Sequence, residues 1–410
     1  MLVAVEPRSA VLWDIPDSTR LGKPLHPGSI TSVAFSPDGK TAVIGNRSGT
    51  ARLYDAATGR AFGKVMPHDG LVKRIAFRPP DGAVVLTASL DGTARLWDAA
   101  DGMPRSKPMD HRRGPGEGVQ VEAAAFSPDG RVVVTGDSTG MVRIWNGDTS
   151  ELIHVFERFG GRTDSICFSP DGTRVVASFA DPDNGVRLWD SSSFALLWGH
   201  ARHRDRVRTV TVSPDASVVM SASNDRTARF WDSTSGQPIG PELPHRGEVF
   251  VAVISPDGQL AVTGGYDATV RLWEVPSGRP FGKPMRHEGV VMAAVFSSDG
   301  KTLLTGSTDR SARLWDVATC LPLCPPMQHN GTVASVALDQ ASHTALTGRL
   351  WHLPAALPDD PSLVDLWVKL ATQRTLTAGD NIEWLDPAAF ADISSEFQAR
   401  LGKSWSEWGN

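Results

Sequence analysis

Cysteine is scarce in this chain: Cys167, Cys320 and Cys324 are the only three in 410 residues, an odd and sparse set that argues against a disulfide framework. No segment approaches the roughly 20 consecutive apolar residues that a membrane helix needs. The opening stretch, MLVAVEPRSAVLWDI, has neither a basic leader nor a long apolar run before Glu6 and Pro7, so no signal peptide is expected. Positive charge is not in excess either. The net charge is −5, and residues 359–410, with nine acids and four bases, account for all of it. The remaining 358 residues balance at 37 against 37, so no global basic field points to nucleic acid. These absences predict a cytoplasmic protein with no membrane partner and no nucleic-acid partner. With 40% hydrophobic and 21% charged residues, the chain is ordinary globular material.

What is present is a repeat. An aromatic residue followed by Asp or a near substitute recurs at Trp13, Tyr54, Trp97, Trp145, Trp189, Trp231, Trp273, Trp315 and Trp351. A period of about 40–45 residues is that of a four-stranded propeller blade. Within each unit a His-containing loop leads into a short apolar strand such as VKRIAF, which ends at a tight turn. That turn is SPDG at Ser36–Gly39, Ser127–Gly130, Ser169–Gly172 and Ser255–Gly258, with RPPDG, SPDA and SSDG as variants. Proline presets φ, Asp bonds back to the backbone and Gly accepts unusual dihedrals, so the tetrapeptide turns one strand into the next. A second apolar strand follows, then a short turn, the strand TARLWD and a weakly patterned fourth strand.

On these residues the chain resembles the WD40 repeat family over about residues 1–357. The resemblance implies a buried hydrogen-bonded set of His, Ser or Thr, Asp and Trp in each blade. Matching residues are His68, Asp91 and Trp97; His203, Asp225 and Trp231; His245, Asp267 and Trp273; and His287, Asp309 and Trp315. Ser48 and Thr139 replace the turn Asp in two units, and Gly160-Gly161-Arg162 stands where the unit ending at Trp189 should have its His, so those blades are expected to be held less firmly. The chain also resembles bacterial proteins with near-identical WD40 repeats that are often fused to Ser/Thr protein kinase domains and end in a similar helical tail.

The reading is an all-β WD40 β-propeller over 1–357 and a linker with helical tail over 358–410. Seven units are complete. Residues 1–14 read as two strands without a first, and the last unit, His329 to Trp351, lacks a turn, so the simplest closure joins TVASVAL near Val333 to the N-terminal strands as a composite eighth blade. A seven-bladed ring with extra terminal strands, or an incomplete propeller, are the alternatives. In the tail, Leu363, Leu366, Trp367 and Leu370 fall at i, i+3, i+4 and i+7, the face of an amphipathic helix. Such helices either dock on the propeller or serve as a handle for another protein.

Several motifs imitate catalytic sites. Gly136-Asp137-Ser138-Thr139-Gly140 fits G-x-S-x-G but sits in a hairpin, not between strand and helix. His203-Arg204-Asp205 spells HRD without the rest of a kinase. Cys320, Cys324 and His329 make an incomplete zinc set. An Arg two places before the aromatic in every complete unit, from Arg52 to Arg313, is scaffold. No catalytic residue, cofactor or metal is assigned. The function expected is a non-catalytic scaffold or sensor presenting the loop face to a protein or peptide. Candidate partner-binding residues are Arg112, Arg113, Arg202, Arg204 and Arg206, in loops that depart from the repeat. The runner-up is a propeller enzyme or the sensory region of a kinase-linked protein. Oligomeric state is left open.

Overall fold

In six of the seven units the Ser of the turn ends one strand and organises the next. Ser36 Oγ–H donates to Asp38 at 2.6 Å, Asp38 accepts the Lys40 N–H at 3.1 Å, and Gly39 takes the positive φ (+70°) that closes the hairpin. The same Ser-to-Asp bond recurs at Ser127, Ser169, Ser213, Ser255 and Ser297. Second strands such as Val84–Ser89 are buried along their whole length, which is why they read as unbroken apolar runs.

A computed structural model describes residues 30–338 except 113–117, 181 and 330, and beyond them only a few terminal strands. Seven four-stranded antiparallel sheets follow one another in chain order. Blades 1 to 7 span residues 30–67, 72–110, 121–155, 163–202, 207–244, 249–286 and 291–328. In each, the first strand is innermost and touches its neighbours round the ring. No helix occurs among the described residues.

The core is a series of interfaces between blades, not a centre within each. Trp273 of blade 6 packs with Met220, Phe230 and Leu243 of blade 5. Trp231 packs in the same way on blade 4, Trp315 on blade 6 and Trp97 on blade 1. Blades 2 to 7 therefore each bury their Trp against the blade before, as in other repeat architectures.

The polar set forms in blades 2, 3, 5, 6 and 7. In blade 2, Trp97 Nε1–H donates to Thr87 Oγ1 at 2.8 Å, the Thr87 hydroxyl to His68 Nε2 at 2.7 Å, and His68 Nδ1–H to Asp91 at 2.9 Å. Because indole can only donate, Thr87 must accept from it and pass its own proton to His68, which fixes the neutral Nδ1–H tautomer. Ser221, Thr263 and Thr305 complete the sets of His203, His245 and His287. Asp91 also accepts the Asp69 N–H, so the relay pins the incoming loop.

At two of the departures other contacts occupy the place of the missing relay member. In blade 3, Asp137, at the end of the second strand, bonds His111 at 2.9 Å and replaces the turn Asp lost at Thr139. Blade 4 has no relay; Phe156, Phe159, Phe179 and Trp189 cluster with centroids 4.8–6.4 Å apart, and Arg187 lies 4.0 Å over Phe159 while pairing with Asp183.

The composite eighth blade is corrected to a count of seven. Strands Leu2–Glu6, Ser9–Asp14 and Thr19–Leu21 form their own three-stranded sheet, and Ala337–Leu338, Thr344–Leu346 and Leu350–His352 form another. No described ladder joins the two, so the chain ends do not share one four-stranded sheet. The segment 331–338 instead sits at the seam: Ala337–Leu338 touches the innermost strands of blades 7 and 1, and Val333 packs on Leu304 and Leu314. Of the tail expected to be helical, only Arg374–Leu376 and Ile382–Trp384 are described, as a two-stranded antiparallel sheet; the rest lies outside the described residues.

Two outcomes follow from the relay. Replacing Thr263 by Val keeps the shape but strands the Trp273 donor and the His245 acceptor, at roughly 1–3 kcal/mol each. Trp273→Ala should cost about 3–5 kcal/mol. Urea unfolding measures both, and a loss below about 1 kcal/mol for Thr263→Val would contradict the relay. The pH dependence has one sign. Hydrogen bonds from His and Thr hold the carboxyls of Asp91, Asp225, Asp267 and Asp309 well below their ordinary value against the opposing effect of burial, and Asp137 at about 2. Burial holds His111 and His287 below theirs. The unfolded chain then binds more protons below about pH 6.5 at His and below about 4 at Asp. Stability from both groups is present at neutral pH and is lost as pH falls, most steeply below about 4. Urea midpoints measured from pH 8 to 3 should decline in that order.

Candidate binding site at the channel mouth

The innermost strand of every blade carries a β-bulge at its second residue. In blade 2, Val72 pairs with Ser89 and Arg74 with Ala88, leaving Lys73 outside the ladder. The same slip recurs in all seven blades, at Thr31, Lys73, Glu122, Asp164, Arg208, Phe250 and Met292. A bulge re-aims the side chain it frees. Here all but Glu122 line one central cavity of about 880 Å³. The position is therefore a ring of seven different side chains on a backbone that repeats.

Backbone bonds bring a second ring to the same mouth. The turn after the second strand donates to the residue before the first strand of the same blade, as in Leu90 N–H to Leu71, Ala180 to Arg162, Asn224 to Arg206, Tyr266 to Glu248 and Thr308 to Val290. The mouth thus gathers residues far apart in sequence.

Its two sides differ. Blades 1, 2, 4 and 5 contribute Arg47, Lys73, Arg74, Arg162, Arg206 and Arg208. Asp164, nearly fully buried, accepts from Arg206 through both oxygens at 2.5 Å and from Arg162 at 3.0 Å. Buried Glu122 accepts from Arg162 at 3.2 Å and pairs with Lys73 at 3.7 Å. Arg208 donates to Asn224 at 2.7 Å, lies 3.8 Å from Glu248 and stacks 5.0 Å from the Phe250 ring centroid. Arg74 is open to channel solvent, yet protein walls it so closely that lost hydration holds its guanidinium below the ordinary value. Burial does the same to Lys73, with Glu122 pulling the other way and Arg74 adding to the depression. Burial also pushes the Asp164 carboxyl up to about 6, against the pull of Arg162 and Arg208. Blades 6 and 7 and the seam supply an apolar arc of Phe250, Met292, Ala294 and Val336. Tyr266, on the turn bonded to Glu248, is 65% exposed.

The five arginines read from the loops do not form one rim. Arg112 is held by both oxygens of Asp110 at 2.9 Å. Arg202 is mostly exposed, 3.5 Å from Asp183. Arg204 is exposed, and its side chain takes no partner among the described residues. Arg206 turns inward to Asp164 and belongs to the channel. Arg113 lies outside the described residues. Reasoning from loops missed Arg47, Lys73, Arg74, Arg162 and Arg208. The signal available for three of them was the variable second position of the first strand and its neighbour before it, in units otherwise nearly identical.

The imitations of catalytic motifs are absorbed by the fold. Asp137 of the G-x-S-x-G match serves the His111 relay, and His203 of HRD serves its own. Burial pushes the Cys324 thiol up to about 12. Among the described residues no three His, Cys, Asp or Glu are grouped to hold a metal.

The family described as WD40 (WD domain, G-beta repeat) matches residues 22–55, 62–98, 108–146, 151–190, 194–232, 240–274 and 279–316, more than half of the chain. The U5 small nuclear ribonucleoprotein 40 kDa proteins of Pongo abelii and of Bos taurus are each 32% identical over 74 residues, 18% of this chain and 19% of theirs. The chain thus spans about a fifth of the length of the curated relatives it matches. The crystal structure of the computationally designed Ika8 protein superposes with a TM-score of 0.68 at 22% identity, covering 80% of this chain and 96% of that one, a likeness of fold alone.

The inward and outward arginines should respond oppositely to truncation. Arg206→Met removes a forked partner from buried Asp164 and should cost roughly 2–4 kcal/mol. Arg204→Met should shift stability by no more than about 0.5 kcal/mol. Equal urea midpoints for the two variants would mean that Arg206 faces solvent.

Proposed function

The chain belongs to the WD40 repeat family, whose propellers are generally non-catalytic protein-interaction scaffolds, and from that premise we propose that it holds a protein or peptide partner across the mouth of its central channel. One observation carries the reading: the seven bulge positions are the place where a nearly uniform repeat becomes individual. Residues that only build the scaffold repeat from blade to blade; residues that recognise one partner have no reason to.

Phe250 and Met292 of the arc, with exposed Tyr266 on the turn bonded to Glu248, offer an apolar anchor, and aromatic anchors dominate interface energetics. The cations opposite, with Arg204 and Arg112 further out, set charge preference and association rate. Three free cysteines support a cytoplasmic setting. A second reading, that the chain is a stand-alone relative or the sensory region of a bacterial kinase-linked protein, rests on its near-identical SPDG turns and TARLWD strands alone.

The test is affinity capture from the native lysate with wild type, a Tyr266→Ala/Met292→Lys variant and a Leu196→Lys variant on the outer strand of blade 4. The mouth variant should lose at least about 2 kcal/mol of binding, near thirtyfold, while the Leu196 variant matches wild type. Unchanged capture by a folded mouth variant would move the interface to another surface.

A further inference from the structure

We propose that the channel mouth is a receptor for a phosphate-type anion, held between Arg74, Lys73 and Arg47. The inference shares with the scaffold reading only the placement of the binding face.

Six cations line the cavity: Arg47, Lys73, Arg74, Arg162, Arg206 and Arg208. Three carboxylates answer them. Asp164 holds Arg162 and Arg206, Glu122 holds Arg162 and Lys73, and Glu248 lies 3.8 Å from Arg208. Arg47 and Arg74 make no ion pair within 4.0 Å among the described residues, although Glu122 and Asp164 act on Arg74 at longer range. An excess of like charge in a walled cavity opposes folding, because each cation loses hydration and gains repulsion. Burial lowers both Lys73 and Arg74; repulsion from Arg74 and Arg162 adds to the depression at Lys73, whereas Glu122 and Asp164 oppose it at Arg74. Such a cluster is stabilised once an anion enters.

The charge count favours a dianion over a carboxylate. A carboxylate brings one negative charge, and the site already supplies its own in Asp164 and Glu122. A phosphoryl group brings nearly two charges and three acceptor oxygens, which suit guanidinium donors arriving from several directions. The arc of Phe250, Met292 and Val336 leaves room for an organic remainder against an apolar wall. That group can come from a phosphorylated side chain of the bound partner or from a free organic phosphate; the chemistry at the arginines is the same.

Titration calorimetry with inorganic pyrophosphate on the whole chain at low salt tests it, with acetate as the single-charge comparison. Wild type should bind pyrophosphate saturably and weaken as salt rises. Arg74→Gln and Arg47→Gln should each weaken binding by at least about tenfold, since a hydrogen bond to a charged group is lost, whereas Arg131→Gln, exposed on the turn after the first strand of blade 3 and outside the cavity, should change it less than about threefold. Without anion, Arg74→Gln should melt at or above the wild-type temperature. Absence of saturable binding, equal binding of acetate, unchanged binding in both channel variants, or a lowered melting temperature of Arg74→Gln would each overturn the proposal. A phosphoserine peptide bound tenfold more tightly than free phosphoserine names the partner as the source; equal affinities name a free organic phosphate. Pyrophosphate binding needs no partner, so its failure and the failure of lysate capture are separate results.

Discussion

The rest of the molecule depends on one directed chain of hydrogen bonds, from Trp indole to Thr or Ser hydroxyl to His imidazole to Asp carboxylate. Each member can act in only one sense once the indole donates, so the set has a single proton arrangement. It ties the third strand to the second, the second to the incoming loop, and through Asp91 or its counterparts to the backbone of that loop. The indole also faces the preceding blade, so the same residue that anchors the relay seals the interface between blades. An Arg two places before the Trp adds a further hold, with Arg95, Arg229 and Arg271 3.7–3.9 Å from the relay Asp of their own blades. Where the relay is missing, in blade 4, aromatic packing and the Arg187–Asp183 pair take its place.

Rigid loops make a variable surface useful. The relay, where it forms, fixes the incoming loops and the turns opposite them, and the bulge residue falls at the same register position in all seven blades. The side chain at that position varies from blade to blade while the strand pairing around it stays the same. The channel can therefore concentrate charge that the fold itself has no use for. Asp164 and Glu122 look like internal counterions that make such a concentration tolerable: each is buried and each serves two cations.

The positions where sequence reading and structure part company have local causes. Thr139 suggested a missing relay Asp, but a carboxylate two residues earlier reaches the same imidazole, since a turn and the strand end beside it occupy nearly the same place. The expected eighth blade failed on strand pairing. Apolar pattern marks a segment as strand-like without naming its neighbour, and the terminal strands pair among themselves. The arginine-rich loops were visible as composition, but Arg206 points inward and Arg204 outward from the same stretch of chain.

The sequence by itself determined the propeller: the period, the Ser-Pro-Asp-Gly turns and the His, Asp and Trp spacings all report bonds made within one unit, between residues about 30 apart or fewer. Local bonds leave local patterns. Only the tertiary structure decided where the charges meet. Arg47, Arg74, Arg162 and Arg208 belong to four different blades and share a cavity solely because the ring closes. Nothing in the spacing of residues 161 positions apart records that they face one another across a channel, because their meeting follows from how many blades the ring holds and how the seam at 331–338 is filled.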